Sequence, residues 1–254
     1  VTSAEEVLAA SAAWVYVPED AEQVRTDEYH LVAYPLHWSD PTAVTSIASD
    51  RTAAALVDEV LDRAAALGRD AVTFWITGTT RPADLEAHLR ERGAEPTEHL
   101  DVLARPLDAL PDLDVPADVD VRRVVDEASW RDAEAIGVEV FGGSFPDDEA
   151  VAAAVGRIRD AAPQFVAYRD GRPLGTAGAS YVDGVARLWG GGVRQEARGT
   201  GLYRALLDVR LQAARAAGCR FALVKGRVET SGPVLRRAGF ERYGGERAHL
   251  LRRG

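Results

Sequence analysis

The chain has 254 residues, a net charge of −10 and a pI near 5.1, with 46% hydrophobic and 28% charged residues, which suits a globular protein large enough to bury two cores. The acid excess argues against a nucleic-acid partner, which needs clustered cations, and charged residues break every apolar run before the ~20 residues of a membrane span. The one cysteine, Cys219, excludes an intrachain disulfide and a cysteine-rich zinc site, so no metal is expected. The opening Val1-Thr2-Ser3-Ala4-Glu5-Glu6 has no basic run, and a cytoplasmic protein is expected.

In chain order, Ala43 to Ile47 reads as a strand, and Arg51 to Leu67 as a helix with Leu56, Val57, Val60, Leu61 and Ala64 on one face, stopped at Gly68. Ala71 to Thr77 is a strand, Pro82 to Arg92 a helix stopped at Gly93, and Glu95 to Pro106 an extended tail. Asp108 to Asp118 is rich in Pro and Asp without periodicity. The expected division is therefore a first domain over 1–107, a linker over 108–118 and a second domain over 119–254.

In the second domain Val119 to Val125 alternates as a strand, Glu127 to Phe141 and Asp147 to Asp160 are helical, and Gln164 to Arg169 is a strand before the turn at Asp170-Gly171. Pro173 to Val182 and Val185 to Gly190 form a hairpin across Asp183-Gly184. Thr200 to Ala217 is an amphipathic helix facing inward through Leu202, Ala205, Leu206, Val209, Ala213 and Ala216, stopped at Gly218. Phe221 to Val224 is a strand, Pro233 to Ala238 a short helix, and Phe240 to Leu251 a final strand pair. The helix, strand, helix and tail of the first domain repeat the later part of this order, with Gly93 and Gly239 in equivalent places.

The chemistry is expected in Leu188-Trp189-Gly190-Gly191-Gly192-Val193-Arg194-Gln195-Glu196-Ala197-Arg198-Gly199-Thr200-Gly201-Leu202-Tyr203, where a strand feeds a glycine turn that opens a helix. A helix N-terminus has unpaired amides and a partial positive charge, which suits a diphosphate. A dinucleotide fingerprint would need glycine where Arg204 stands and an acid where Arg220 stands, and no Gly-Lys-Ser/Thr triplet offers a Walker loop.

Glu196-Ala197-Arg198-Gly199-Thr200-Gly201 resembles the acyl-CoA loop Gln/Arg-x-x-Gly-x-Gly/Ala of the GNAT N-acetyltransferase superfamily, with Glu196 in the leading place. The strand Phe221 to Val224, followed by a short helix ending in Gly239-Phe240, is similar to the family's next landmark. The resemblance covers residues 119–254 and implies an α/β (α+β) GNAT fold, a mixed central sheet flanked by helices. Residues 1–107 then look like a degenerate second GNAT unit in tandem, without a CoA loop because Ala48-Ser49-Asp50 holds no glycine.

The resemblance further implies an acyltransferase that moves an acetyl group from acetyl-CoA to a small-molecule amine. Gly191, Gly192, Val193, Arg198, Gly199, Thr200, Gly201, Leu202 and Tyr203 would bind the cosubstrate. The family's strand glutamate is replaced among Ala186, Arg187, Leu188 and Trp189, so Glu139 is the leading base, with Asp147, Asp148 and Glu229 as rivals. The family's tyrosine and asparagine correspond to Leu235 and Val228, which leaves Tyr203 and Tyr243 as proton donors. Two other readings stay open: an acyl-CoA-binding regulatory or scaffolding protein without turnover, and a mycothiol-synthase-like acetyltransferase. The acceptor cleft can be completed by the first domain or by a second subunit of a homodimer.

Overall fold

The computed structural model describes residues 3–39, 41–158 and 161–253. They form two compact units, neither of them contiguous in sequence. A companion unit comprises Leu8–Val102, Gly226–Pro233 and Arg242–Gly254, and a loop-bearing unit comprises Val1–Val7, Leu103–Lys225 and Val234–Glu241. The expected division at 107 and 119 follows the linear chain; compactness does not, because long strands carry the chain out of one unit and into the other.

In the companion unit the strand order is β1 (Glu22–Arg25), β2 (His30–Ala33), β3 (Thr42–Thr45), β4 (Ala71–Ile76), β11 (Glu241–Arg252) and the start of β5 (Glu95–Pro106). β3 runs parallel to β4, and β4 pairs antiparallel with β11 from Ala71↔Arg252 to Ile76↔Arg247. Helix α2 (Ala53–Ala66) buries Leu56, Val57, Val60, Leu61 and Ala64, the face that the spacing predicts. These residues meet Leu31, Val44 and Phe74 from the sheet and Leu85 and Leu89 from α3 (Leu85–Glu91) in one core.

The expected final strand pair is instead the single strand β11. Gly244-Gly245 looks like a turn in sequence. In the fold the chain stays extended there, and a Cβ at Gly244 would lie 3.0 Å from Leu8 Cδ2. The expected tail is the twelve-residue strand β5. Strands β1 and β2 and the helix α1 (Ala4–Ala12) are additions to the sequence reading. Their four-residue strands are too short for alternation to register.

In the loop-bearing unit the order is the end of β5, then β10 (Phe221–Arg227), β9 (Val185–Val193), β8 (Arg172–Val182), β7 (Gln164–Arg169) and β6 (Asp120–Arg123). Only β10/β9 is parallel among the registered pairs here. The hairpin turn is built as expected, with Asp183 and Gly184 both at positive φ. Helix α4 (Glu127–Phe141) begins at an Asp126–Ser129 capping box, and α5 (Asp148–Arg157) at an Asp147 cap; the expected end of α5 at Asp160 lies outside the described residues.

Helix α6 (Leu202–Ala216) buries Leu202, Ala205, Leu206, Leu207, Arg210, Leu211 and Ala214, whereas Ala216 is exposed and Val209 and Ala213 are only partly covered. The buried face is rotated from the expected one because α6 serves two clusters. Leu202 and Leu206 pack with Phe165 and Leu174, and Leu207 and Leu211 pack with Leu103, Leu113 and Leu188. Leu113 shows that the Pro- and Asp-rich stretch is anchored in this core. The short helix α7 (Ser231–Arg237) precedes Gly239-Phe240. Among the described residues no helix is long and apolar enough to cross a membrane.

Candidate active site

The site begins where two strands part. β9 and β10 pair from Val185↔Phe221 to Leu188↔Val224, and the registered pairing ends there. Beyond Leu188, β9 stays registered with β8 through an irregularity: Trp189 faces Gly178, but Gly192 faces Thr176, so β9 carries one extra residue. The triple glycine is thus a β-bulge, with Gly190 at φ +57°. Glycine is required around it for separate reasons. The Trp189 ring fills the place of a side chain at Gly178, and a Cβ at Gly192 would fall 2.7 Å from Val140 Cγ1 and 3.0 Å from Phe141 Cζ at the end of α4.

After β9 the chain makes a 3₁₀ turn over Gln195–Ala197 and enters α6 through Gly199 at φ +76° and Gly201 at φ +91°. Such backbone conformations belong to glycine. Gly199 has open space on its Cβ side, so its glycine answers to conformation and access rather than crowding. Gly201 is the N-cap of α6 and supplies no side-chain cap, while the Thr200 hydroxyl donates to the Ala197 carbonyl at 2.7 Å. The first bond of the helix runs from the Ala205 amide to the Gly201 carbonyl, so the amides ahead of it have no carbonyl within the helix. Arg198 turns back, its Nε donating to the Val193 carbonyl at 3.3 Å.

The equivalent place in the companion unit is closed. Between the parallel strands β3 and β4, helix α2 starts at Thr52, whose hydroxyl accepts from the Ala55 amide at 3.3 Å. The Glu28 carboxylate is bound there by Ser49 and, at 2.7 Å, by Arg51. A helix end capped by its own side chain has fewer amides left for an anion; an uncapped end keeps them.

The candidate acid–base residues are distributed unevenly. Glu139, on α4, is ion-paired with Arg194, the residue that leaves the bulge, and Arg194 Nε also donates to the Pro173 carbonyl at 3.2 Å. That pairing makes Glu139 a tie between α4 and the loop, which is poor employment for a free base. Asp147 caps α5 by accepting from the Ala150 amide at 2.9 Å, and Asp148 is in its exposed first turn. Glu229 and Tyr243 belong to the companion unit. Leu235, at the place of the family's tyrosine, is fully buried core.

Tyr203 stands in the first turn of α6, half-buried, with its Cε2 3.3 Å from where a Cβ on Gly191 would lie. Sequence reasoning missed its neighbour. Arg210 is 1% exposed; Nε donates to the Leu206 carbonyl at 2.9 Å and Nη2 has no partner. Its guanidinium atoms lie 3.4 and 3.5 Å from the same Cβ position on Gly191. Burial lowers its pKa, and the neighbouring Tyr203 opposes that shift. Its position two turns after Tyr203 was the available signal, and the positive charge hid it. Among the described residues no cluster of three His, Cys, Asp or Glu side chains could hold a metal.

A model of the acetyltransferase (GNAT) family matches residues 128–240. A GCN5-related N-acetyltransferase from Kribbella flavida superposes with a TM-score of 0.68 at 19% identity, over 99% of this chain and 95% of that one. One from Sphaerobacter thermophilus gives 0.66 at 19% identity, over 99% and 87%. A tandem GNAT protein from the clavulanic acid biosynthesis pathway gives 0.59 at 16% identity, over 98% and 88%. No curated protein sequence matches this one. At these identities the structural likeness carries the fold alone.

Proposed function

We propose that the chain is an acyltransferase of the acetyltransferase (GNAT) family, whose model matches residues 128–240, with two units of that fold in tandem, and that it moves the acetyl group of acetyl-CoA to a primary amine of a small molecule, by direct attack with both substrates bound. The observation that carries this reading is the continuous run from the parting of β9 and β10, through the glycine bulge, to the uncapped start of α6. The Gly199–Tyr203 amides are suited to a diphosphate, and Gly199, open on its Cβ side, lets a ligand approach the backbone. The unpaired edge of β9 over Gly191, Gly192 and Val193 is suited to a pantetheine arm. A backbone N–H there, donating to the thioester oxygen, would supply on the order of 10²- to 10³-fold in rate.

A thiol leaving group with a pKa of roughly 8.5 needs little protonation, so the loss of the family's usual tyrosine at Leu235 is compatible with turnover. Tyr203, whose ring edge lies beside Gly191 of the bulge, takes the donor's role in this reading. The acid excess of the chain favours a cationic amine as acceptor.

Calorimetry with acetyl-CoA and a screen of amines with a free-thiol readout test the proposal. The wild type is expected to bind and to release CoA with its acceptor. Gly199→Asp places a carboxylate and a strained φ of +76° in the loop, and is expected to weaken acetyl-CoA at least ~10-fold. Equal heats from the two proteins would overturn the assignment of the loop. Binding with no thiol release from any amine would favour the non-catalytic acyl-CoA-binding reading, which the core leucine at 235 and the paired Glu139 support.

A further inference from the structure

The buried guanidinium behind the bulge is not explained by packing. Among the described residues Arg210 has no carboxylate partner, although a cation taken out of water is ordinarily paired. One bond, from Nε to the Leu206 carbonyl, ties it to its own helix, and Nη2 is left without an acceptor. The fork instead faces the side of Gly191 that lacks a side chain, and shares that space with the Tyr203 ring edge at 3.3 Å. Any residue larger than glycine at 191 would press on both groups.

We infer that Arg210 is a positioning residue that holds the Tyr203 phenol as the proton donor to the departing CoA sulfur and offsets the negative charge left on the phenol oxygen. The inference rests on the acetyltransferase reading above. The amine nitrogen bonds to the acyl carbon, and the carbon–sulfur bond breaks with its electron pair going to sulfur. Tyr203 Oη gives its proton to that sulfur, and the phenolate recovers the proton that the amine gives up, through water. A guanidinium beside a phenol favours the phenolate that this transfer leaves, which is what the proton transfer needs. The fixed cation is in place before the charge appears, so no reorganisation is needed at that moment.

The test compares wild type, Tyr203→Phe, Arg210→Met, Arg210→Lys and the Tyr203→Phe/Arg210→Met double variant, with acetyl-CoA as donor and hydroxylamine as probe acceptor. Thiol release gives kcat and KM, calorimetry gives acetyl-CoA affinity, and thermal melting reports the fold. Tyr203→Phe is expected to lower kcat ~10²-fold with acetyl-CoA affinity within about threefold of wild type. Arg210→Met, which exchanges a buried charge for an apolar chain of similar length, is expected to keep or raise Tm while lowering kcat about 10-fold or more. Arg210→Lys should recover part of that loss, and the double variant should be no slower than Tyr203→Phe alone.

Wild-type kcat in Arg210→Met, or losses that multiply in the double variant, would overturn the inference and leave the acetyltransferase reading standing. Should Arg210→Met fail to fold, Arg210→Lys against Tyr203→Phe carries the comparison: a lysine variant whose kcat loss persists in the Tyr203→Phe background refutes the coupling. A wild type that gives no heat with acetyl-CoA overturns both.

Discussion

Single atoms decide where glycine is replaceable in this site. Gly190 and Gly199 face open space and are held to glycine by positive φ, whereas Gly192 is held by contact with Val140 and Phe141. Gly192→Ala forces a methyl group into a gap of 2.7 Å bounded by the end of α4. The expected cost is about 1–3 kcal/mol, seen as a Tm lowered by several degrees. An unchanged melting curve would mean that α4 yields easily there. The same residue-level view separates Glu139 from Tyr203. Both are acid–base candidates in sequence-based expectation, but Glu139 is bound to Arg194 and Tyr203 lies beside a buried cation with a donor to spare.

At the scale of elements, β5 carries more than the extended tail expected of it. Its Leu103, with Leu107 just beyond it, is fully or almost fully buried among Leu188, Leu207 and Leu211, and Leu113 joins them. A fragment starting at Val119 therefore keeps the whole glycine loop but loses three core leucines, each worth about 1.5–3 kcal/mol of burial. It is expected to be unfolded or aggregated, with the amide spectrum of a chain lacking a fixed core, while a fragment starting before Leu103 retains that cluster. A well-dispersed spectrum from the shorter fragment would show that residues 119–254 fold alone, as the linear division expects. The α6 face teaches the same lesson. Apolar spacing located the helix and its Leu202-Ala205-Leu206 edge, but could not see that Arg210 lies within the buried side.

For the whole molecule, acid sensitivity should be concentrated in the companion unit. Glu86 of α3 accepts from Arg247 at 2.7 and 2.8 Å and contacts His249 at 3.1 Å, both on β11. Arg247, the largest influence, lowers its pKa to about 2 against the opposing effect of burial, with His249 and Arg90 adding to it. Glu59 is also lowered to about 2, chiefly by hydrogen bonds from Tyr29 and Arg51. A depressed carboxylate contributes stability that is present above its ordinary value of 4.5 and is lost as pH falls toward about 2. The urea midpoint should therefore fall between pH 5 and 2, and Glu86→Gln should be less stable at pH 7 with a flatter slope in that window. An equally steep slope in the variant would place the acid response elsewhere.

The sequence by itself determined the local elements and the glycine loop ahead of α6. Helical spacing set the inward face of α2, turn residues set the hairpin at Asp183-Gly184, and the glycines ahead of α6 marked the open helix end, because each depends on bonds and torsions within a few residues. Only the tertiary structure decided that β11 lies beside β4, that Leu103 and Leu113 belong to the core under α6, and that an arginine stands behind Gly191. Alternation along a strand tells which side chains are inside but carries nothing about which strand lies alongside, and a positive charge in a helix reads as solvated until its neighbours are known.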